Sequence, residues 1–313
     1  MKVILLQAAL VLLQSLSFIA AEPLKVYILA GQSNMVGLGQ VEGKETPGTV
    51  DYCIENDKDG KYEFLVGKRR GKIAEQEDVW IYYERDGDLL KGNLTTGYGN
   101  KNNSIGLELS FGEQIQKQED GKILLIKVAW GGKSLAKDFR PPSAGGETGH
   151  YYHELLRCVD DALSNLNKHF PKSIKYDGYK IMGFCWHQGW NDHVSKTFTA
   201  EYTKNLEHLI DDLRKEWKSD FPVVVATTGM ATKRDAVNDN KPKHKPIEKA
   251  QLAIAKVKKF KGNVAVVDTI KFWKSSKDSP APKGNQHYHW NKSAEIYMDI
   301  GFACAEAFED LKK

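Results

Sequence analysis

Several things are scarce in this sequence. Only four cysteines occur among 313 residues, at Cys53, Cys158, Cys185 and Cys304. Their wide spacing is neither a metal-ligand pattern nor a dense disulfide framework. Charge of one sign is lacking too: 45 Lys and Arg stand against 41 Asp and Glu, a formal net charge of +4. That balance excludes the basic footprint of a nucleic-acid binder or an anionic-membrane binder. The 27 glycines and ten prolines follow no period, so collagen-like repeats are out. After residue 21 no apolar stretch is long enough to cross a bilayer. What is present is 41% hydrophobic and 27% charged residues, ordinary for a chain that buries a core. Function therefore has to be sought in local sites.

The one long apolar run comes first. Lys2 is the only charge before Glu22, and Val3–Ala20 is apolar but for Gln7, Gln14, Ser15 and Ser17. Small residues at Ala20-Ala21 then precede Glu22-Pro23. This predicts a secretory signal peptide over residues 1–21, cleaved after Ala21, with an uncleaved anchor as the alternative. The mature protein then meets an oxidising compartment. Cys185 falls in an apolar strand pattern and Cys158 and Cys304 on apolar helix faces, so buried free thiols are at least as good a reading as bridges. Asn93-Leu94-Thr95, Asn102-Asn103-Ser104 and Asn291-Lys292-Ser293 are glycosylation acceptor triplets.

Short continuous apolar runs bounded by turns recur at Leu24–Ala30, Ile123–Ala129, Tyr179–Trp186, Val223–Thr227 and Val264–Asp268. Such runs suit strands covered on both faces. Between them lie helical spacings, in Leu155, Leu156, Val159, Ala162, Leu163 and Leu166, and again from Tyr202 to Trp217. Two more helices are predicted over about Ile247–Val257 and Ser293–Leu311. Strand–helix alternation implies parallel strands with right-handed crossovers, hence a three-layer α/β/α sandwich around a five-stranded parallel sheet. No composition break marks a second domain, so residues 22–313 read as one. Residues 40–104 read as a loop-rich insertion with one added strand at Trp80-Ile81-Tyr82-Tyr83. Lys233–Lys261 holds ten Lys/Arg against three acids; it reads as a solvated face, with attraction of an acidic polysaccharide as the functional alternative.

In open parallel sheets, ligands bind beyond the carboxyl ends of the strands. Four places there carry chemistry. In Ala30-Gly31-Gln32-Ser33-Asn34-Met35, a turn between strand and helix lifts a serine hydroxyl with a free N–H beside it, as a nucleophile requires; a plain helix cap is the bland reading. Met35 departs from the Gly-x-Ser-x-Gly elbow. Ala129-Trp130-Gly131-Gly132-Lys133-Ser134 offers unobstructed backbone N–H groups. In Trp186-His187-Gln188-Gly189-Trp190-Asn191-Asp192, the amide of Asn191 or Gln188 could donate to an oxyanion. His287-Tyr288-His289-Trp290-Asn291 enters the last helix and supplies a general base for Ser33.

These blocks resemble the SGNH hydrolase superfamily, most closely its sialate O-acetylesterase-like branch, which includes the acetylxylan esterases of carbohydrate esterase family 6. The likeness rests on Gly31-Gln32-Ser33-Asn34-Met35, Gly189-Trp190-Asn191-Asp192 and the late histidine. It is supported by Ser104-Ile105-Gly106-Leu107-Glu108-Leu109-Ser110-Phe111-Gly112, by the stretch from Val128 to Pro142, and by His289-Trp290-Asn291 with Ala294-Glu295 and Tyr297. It spans about Lys25 to Phe308. The resemblance implies a flavodoxin-like sheet and serine-dependent deacetylation of an acetylated sugar or polysaccharide, acetylxylan-type or sialic acid, with no metal or other cofactor. It implies Ser33 as nucleophile, His289 as base, and an oxyanion hole from the N–H of Ser33, the N–H of Gly132 and the amide of Asn191. Gln32 and Gln188 are supporting candidates.

One departure matters. Many members place an aspartate three residues before the histidine; here Gln286 stands there, and Gly284 precedes His287 by the same interval. The site then runs as a Ser–His dyad or draws an acid from elsewhere, with Asp268 and Asp192 as the candidates. His289 is preferred to His287 because it heads the Trp290-Asn291 run. Trp80, Trp130, Trp190 and Trp290 are candidates for stacking on sugar rings. Two other classes compete: a secreted carbohydrate-binding protein whose catalysis has decayed, and a metallohydrolase using His187, His193, His287 and His289.

Overall fold

The computed structural model describes residues 22–68, 72–170, 176–281 and 288–313. Residues 1–21, and with them the predicted signal peptide, lie outside the described residues. So do Gly284, Gln286 and His287.

Seven strands form the central sheet: β1 (Leu24–Gly31), β2 (Gln76–Arg85), β3 (Asp88–Leu94), β4 (Ile123–Ala129), β5 (Tyr179–His187), β6 (Val223–Ala226) and β7 (Val264–Val267). Their order is β3-β2-β4-β1-β5-β6-β7, and every neighbouring pair is parallel except the hairpin β2–β3. The five continuous apolar runs are all strands of this sheet, but the expected count of five is too low. The added strand at Trp80–Tyr83 belongs to a longer β2 that pairs with β4, and β3 extends the sheet once more. β3 escaped the sequence reading for a physical reason. It is an edge strand in which only Leu94 is buried, and its leucines, Leu89, Leu90 and Leu94, follow no alternation.

Side chains alternate across a strand, so the continuous apolar runs feed two cores. Val26, Ile28, Tyr82, Leu124, Ile126, Phe184 and Trp186 point to one face, against α3 (His150–Ser164), α5 (Lys196–Glu216) and α6 (Pro246–Ala253). Tyr27, Leu29, Ile81, Leu125 and Cys185 point to the other, against α2 (Glu108–Gln118) and α7 (Ala294–Asp310). Two shorter helices, α1 (Ser33–Val36) and α4 (Trp190–His193), sit at the carboxyl ends of β1 and β5. The α2–α7 contact is close: the Ser110 hydroxyl donates to the Met298 carbonyl at 2.7 Å. Each fully buried Leu, Ile or Phe here contributes about 1.5–3 kcal/mol. The four cysteines are free and buried. No helix among the described residues is long and apolar enough to cross a membrane.

Candidate active site

The site begins where β1 stops. A Cβ on Gly31 would lie 2.2 Å from the His187 carbonyl oxygen, so only glycine lets β1 and β5 meet there. The Gln32 N–H donates to that same carbonyl at 3.2 Å, and the N–H groups of Met35 and Val36 fold back on the Gln32 carbonyl at 2.7 and 2.9 Å. This closes the one-turn helix α1 with Ser33, half-buried, as its first residue. The Ser33 N–H has no protein partner among the described residues, and neither has its hydroxyl.

Gln32, 3% exposed, ties this turn to the loop after β5. Its Oε1 accepts from the N–H groups of Gly189 (3.0 Å) and Asn191 (3.2 Å) and from Gln188 Nε2 (3.3 Å). Its Nε2 faces Asn191 Oδ1 at 3.4 Å. Asn191 Nδ2 in turn donates to the Gly132 carbonyl at 2.7 Å, which leaves its second N–H for another acceptor. Gly132 holds φ +69°, the left-handed region that suits glycine, and its N–H is also without a protein partner among the described residues. Ser33, Gly132 and Asn191 are thus brought to one place by side chain–backbone bonds between loops far apart in sequence.

Asp192 and Gln188 lie beneath this place, fully enclosed. Asp192 Oδ2 accepts from the Leu135 N–H (2.8 Å) and Gln188 Nε2 (2.6 Å), and Oδ1 from the Ala136 N–H (2.9 Å). Burial pushes the Asp192 carboxyl up to about 6, against the pull of those hydrogen bonds. Both oxygens are therefore spent on shaping the loop that carries Gly132. The Gln188 amide also donates to the Lys133 carbonyl at 2.9 Å, so it serves as a bracket. Asp268 accepts from His244 Nε2 at 2.8 Å and caps the Ile270 N–H. That His244–Asp268 pair was invisible in the sequence, since 24 residues separate its members.

His187, 1% exposed, makes one bond through Nδ1 to the Ala226 carbonyl (3.2 Å), and its Nε2 has no partner among the described residues. Burial holds its imidazole down to about 4. His193 instead packs its ring on Trp190. Among the described residues no three His, Cys, Asp or Glu side chains are grouped as metal ligands.

The histidine arm is built differently. His289, Trp290, Asn291 and Lys292 all have positive φ, at 57°, 46°, 55° and 60°. Four left-handed non-glycine residues in a row store strain of about 1–2 kcal/mol each. Trp290 anchors the turn: a Cβ on Gly229 would lie 2.6 Å from its ring. Gly229 adjoins Met230, whose sulfur accepts from Asn34 Nδ2 at 3.0 Å, while Tyr297 OH donates to Asn34 Oδ1 at 3.0 Å. The turn carrying His289 and the helix carrying Ser33 thus share one wall. No hydrogen bond joins the Ser33 hydroxyl to His289. Asn291 is 1% exposed, which bars a glycan from that acceptor in the folded protein. Trp80 and Trp290 belong to the core, whereas Trp130 and Trp190 stay partly exposed.

Three solved structures resemble this chain. A protein of Arabidopsis thaliana is 19% identical with a TM-score of 0.56, over 92% of this chain and 98% of that one. NanS is 15% identical with a TM-score of 0.53, over 93% and 98%. A carbohydrate acetylesterase of Xanthomonas citri is 14% identical with a TM-score of 0.50; 90% of this chain aligns with 55% of that longer one. At such identities the likeness shows the fold. No curated protein matches the sequence significantly. The profile described as "Carbohydrate esterase, sialic acid-specific acetylesterase" matches residues 23–308, most of the chain. The protein belongs to that carbohydrate esterase family.

Proposed function

We propose that this protein is a secreted serine O-acetylesterase that removes acetyl groups from an acetylated glycan, acetylxylan-type or sialic acid. The observation that carries the reading is the Gln32 hub. Gln32 bonds the turn that carries Ser33 to the loop of Gly189 and Asn191, Asn191 in turn bonds the loop of Gly132, and the N–H groups of Ser33 and Gly132 have no protein partner among the described residues, which supports an oxyanion hole there. Family membership supplies the acetylated sugar. The five apolar runs, taken in chain order, stand 2-1-3-4-5 in the sheet, the order of flavodoxin-type sheets. That order supports a ligand crevice between the carboxyl ends of β1 and β5.

In the proposed reaction, Ser33 Oγ attacks the acetyl carbonyl carbon while His289 takes its proton. The carbonyl oxygen becomes an oxyanion held by the N–H groups of Ser33 and Gly132 and by the Asn191 amide. His289 returns the proton to the sugar oxygen as the C–O bond breaks, leaving acetyl-Ser33. Water, deprotonated by His289, then attacks the acetyl carbon; the bond to Ser33 Oγ breaks, His289 returns the proton to that oxygen, and acetate leaves. Asp192 acts on this chemistry through the Leu135–Ala136 backbone. The leader-like segment and the acetylated-glycan substrate support an extracellular or periplasmic site of action.

The second reading, a carbohydrate-binding protein that has lost catalysis, draws on Gln286 standing where many family members have an aspartate, and on a Ser33 hydroxyl with no partner among the described residues. Acetate release from a panel of acetylated glycans, with Ser33→Ala as the blank, separates the two. Turnover lost in Ser33→Ala supports the esterase. Sugar binding without turnover in the wild type supports the other.

A further inference from the structure

A lysine in the middle of a sheet is expensive to bury, and Lys127 on β4 is 0% exposed. Its neighbours Ile126 and Val128 are core residues, and an apolar side chain in its place would cost no desolvation. Replacing a buried ion pair by apolar residues is often neutral or stabilising, so stability does not account for Lys127. Its partners do point to a role. The ammonium has three protons and three acceptors: Glu108 Oε2 at 2.8 Å, the Val36 carbonyl at 2.7 Å and the Tyr98 carbonyl at 2.7 Å. Glu108, also 0% exposed, uses Oε1 to accept the Gly106 N–H at 2.8 Å.

Val36 is the last residue of α1, the four-residue helix that begins with Ser33. A helix so short cannot stabilise itself, and its terminal carbonyls lack partners within the helix. Lys127 satisfies the Val36 carbonyl, and the Asn100 N–H satisfies that of Gly37 at 2.8 Å. Gln32 fixes the other end of the same turn. Ser33 is therefore clamped from both sides, and the second clamp reaches through Tyr98 into the inserted segment 40–104.

We propose that Lys127, held by Glu108, is a positioning residue: it fixes the Val36 carbonyl and so sets where the Ser33 hydroxyl stands. This rests on the proposed role of Ser33. Misplacing a reacting group by about 1 Å costs on the order of 100-fold in rate, so loss of the clamp lowers kcat and leaves ester binding nearly unchanged.

The test is the apolar pair Lys127→Met with Glu108→Leu, compared with wild type and Ser33→Ala. The readouts are kcat and KM for 4-nitrophenyl acetate, the rate of Ser33 labelling by a fluorophosphonate, and the thermal midpoint. The expected result is a folded protein whose kcat falls about 10- to 100-fold, with KM within twofold and labelling slowed in step. A folded protein with kcat within twofold of wild type overturns the proposal. If that pair does not fold, the neutral pair Lys127→Gln with Glu108→Gln decides by the same readings. A reduced kcat at constant KM supports the clamp, and a wild-type kcat overturns it. Turnover that survives in Ser33→Ala is a separate result: it removes the nucleophile, and the clamp's role goes with it.

Discussion

The two arms of the proposed site are held by opposite means. On the serine arm the supporting side chains are tied in by hydrogen bonds: the Gln32 amide makes four, Asp192 accepts three, and Lys127 spends all three protons. On the histidine arm, neither amide atom of Asn291 nor the indole N–H of Trp290 has a partner among the described residues, although both side chains are buried. Its backbone is left-handed for four residues. The serine arm is preorganised by side-chain hydrogen bonds; on the histidine arm Trp290 packs against Gly229, the Asn291 carbonyl accepts the Ala281 N–H at 3.1 Å, and the left-handed backbone stores strain. An acyl-transfer site needs its oxyanion donors fixed before reaction, so the rigid arm is where that need is greatest.

The sharpest way to break this comparison is to remove each arm's reactive group. Ser33→Ala and His289→Ala should each lower acetate release by at least ~1,000-fold, whereas His287→Ala should keep most of it. A dead His287→Ala beside a healthy His289→Ala would move the base to the other histidine. Next in size is Asn191→Ala, expected to lower kcat by roughly 100- to 1,000-fold with an unchanged circular dichroism spectrum. Wild-type kcat in that variant would take Asn191 out of the oxyanion hole.

A third prediction concerns pH and two of the ionisable groups buried on the serine arm, Asp192 and His187. Asp192, raised from 3.8 to about 6, binds its proton more readily in the fold than in the unfolded chain. Its contribution is full below 3.8 and is lost as pH rises through 6. His187, lowered from 6.5 to about 4, does the reverse: its contribution is present above 6.5 and is lost as pH falls toward 4. Each is worth on the order of 3 kcal/mol, and between pH 4 and 6 they oppose. The wild-type thermal midpoint should therefore change little over that range on their account. Asp192→Asn should steepen the fall toward acid, and His187→Gln should reverse the slope. Parallel pH profiles for all three proteins would contradict the assignment.

The smallest expected effect tests the strain. Lys292 is exposed at φ 60°, so Lys292→Gly relieves about 1 kcal/mol and should raise the thermal midpoint by about 2–4 °C. A kcat within twofold of wild type is expected. A midpoint that falls would mean the left-handed turn is unstrained at that residue.

Much of the fold was legible because it rests on local patterns. The apolar runs at Ile123–Ala129 and Val223–Thr227 had no polar face to hide, and the helical spacing in Leu155–Leu166 was unbroken. β3 was not legible, because in the edge strand Asp88–Leu94 only Leu94 is buried, so no alternation of apolar residues marks it. For the site, the loops at Ser33, Gly132 and Asn191 stood out as glycine-rich strand ends, and the structure gathers them. Lys127 lay inside the apolar run Ile123–Ala129 and Glu108 inside the stretch Ser104–Gly112, and neither was singled out. Asp192 and Asp268 were noticed for their place in the chain, while their partners, the 135–136 backbone and His244, could not be.

The sequence by itself determined the strand–helix alternation and the crowding of chemical residues at strand ends, because hydrophobic period and turn chemistry are properties of neighbours along the chain. The tertiary structure alone decided which groups face one another. Lys127 meets Val36 across 91 positions, Asp192 meets Leu135 across 57, and Gln32 meets Asn191 across 159. Such pairings are set by how seven strands are ordered and how loops cross their ends, and no spacing along the chain encodes them.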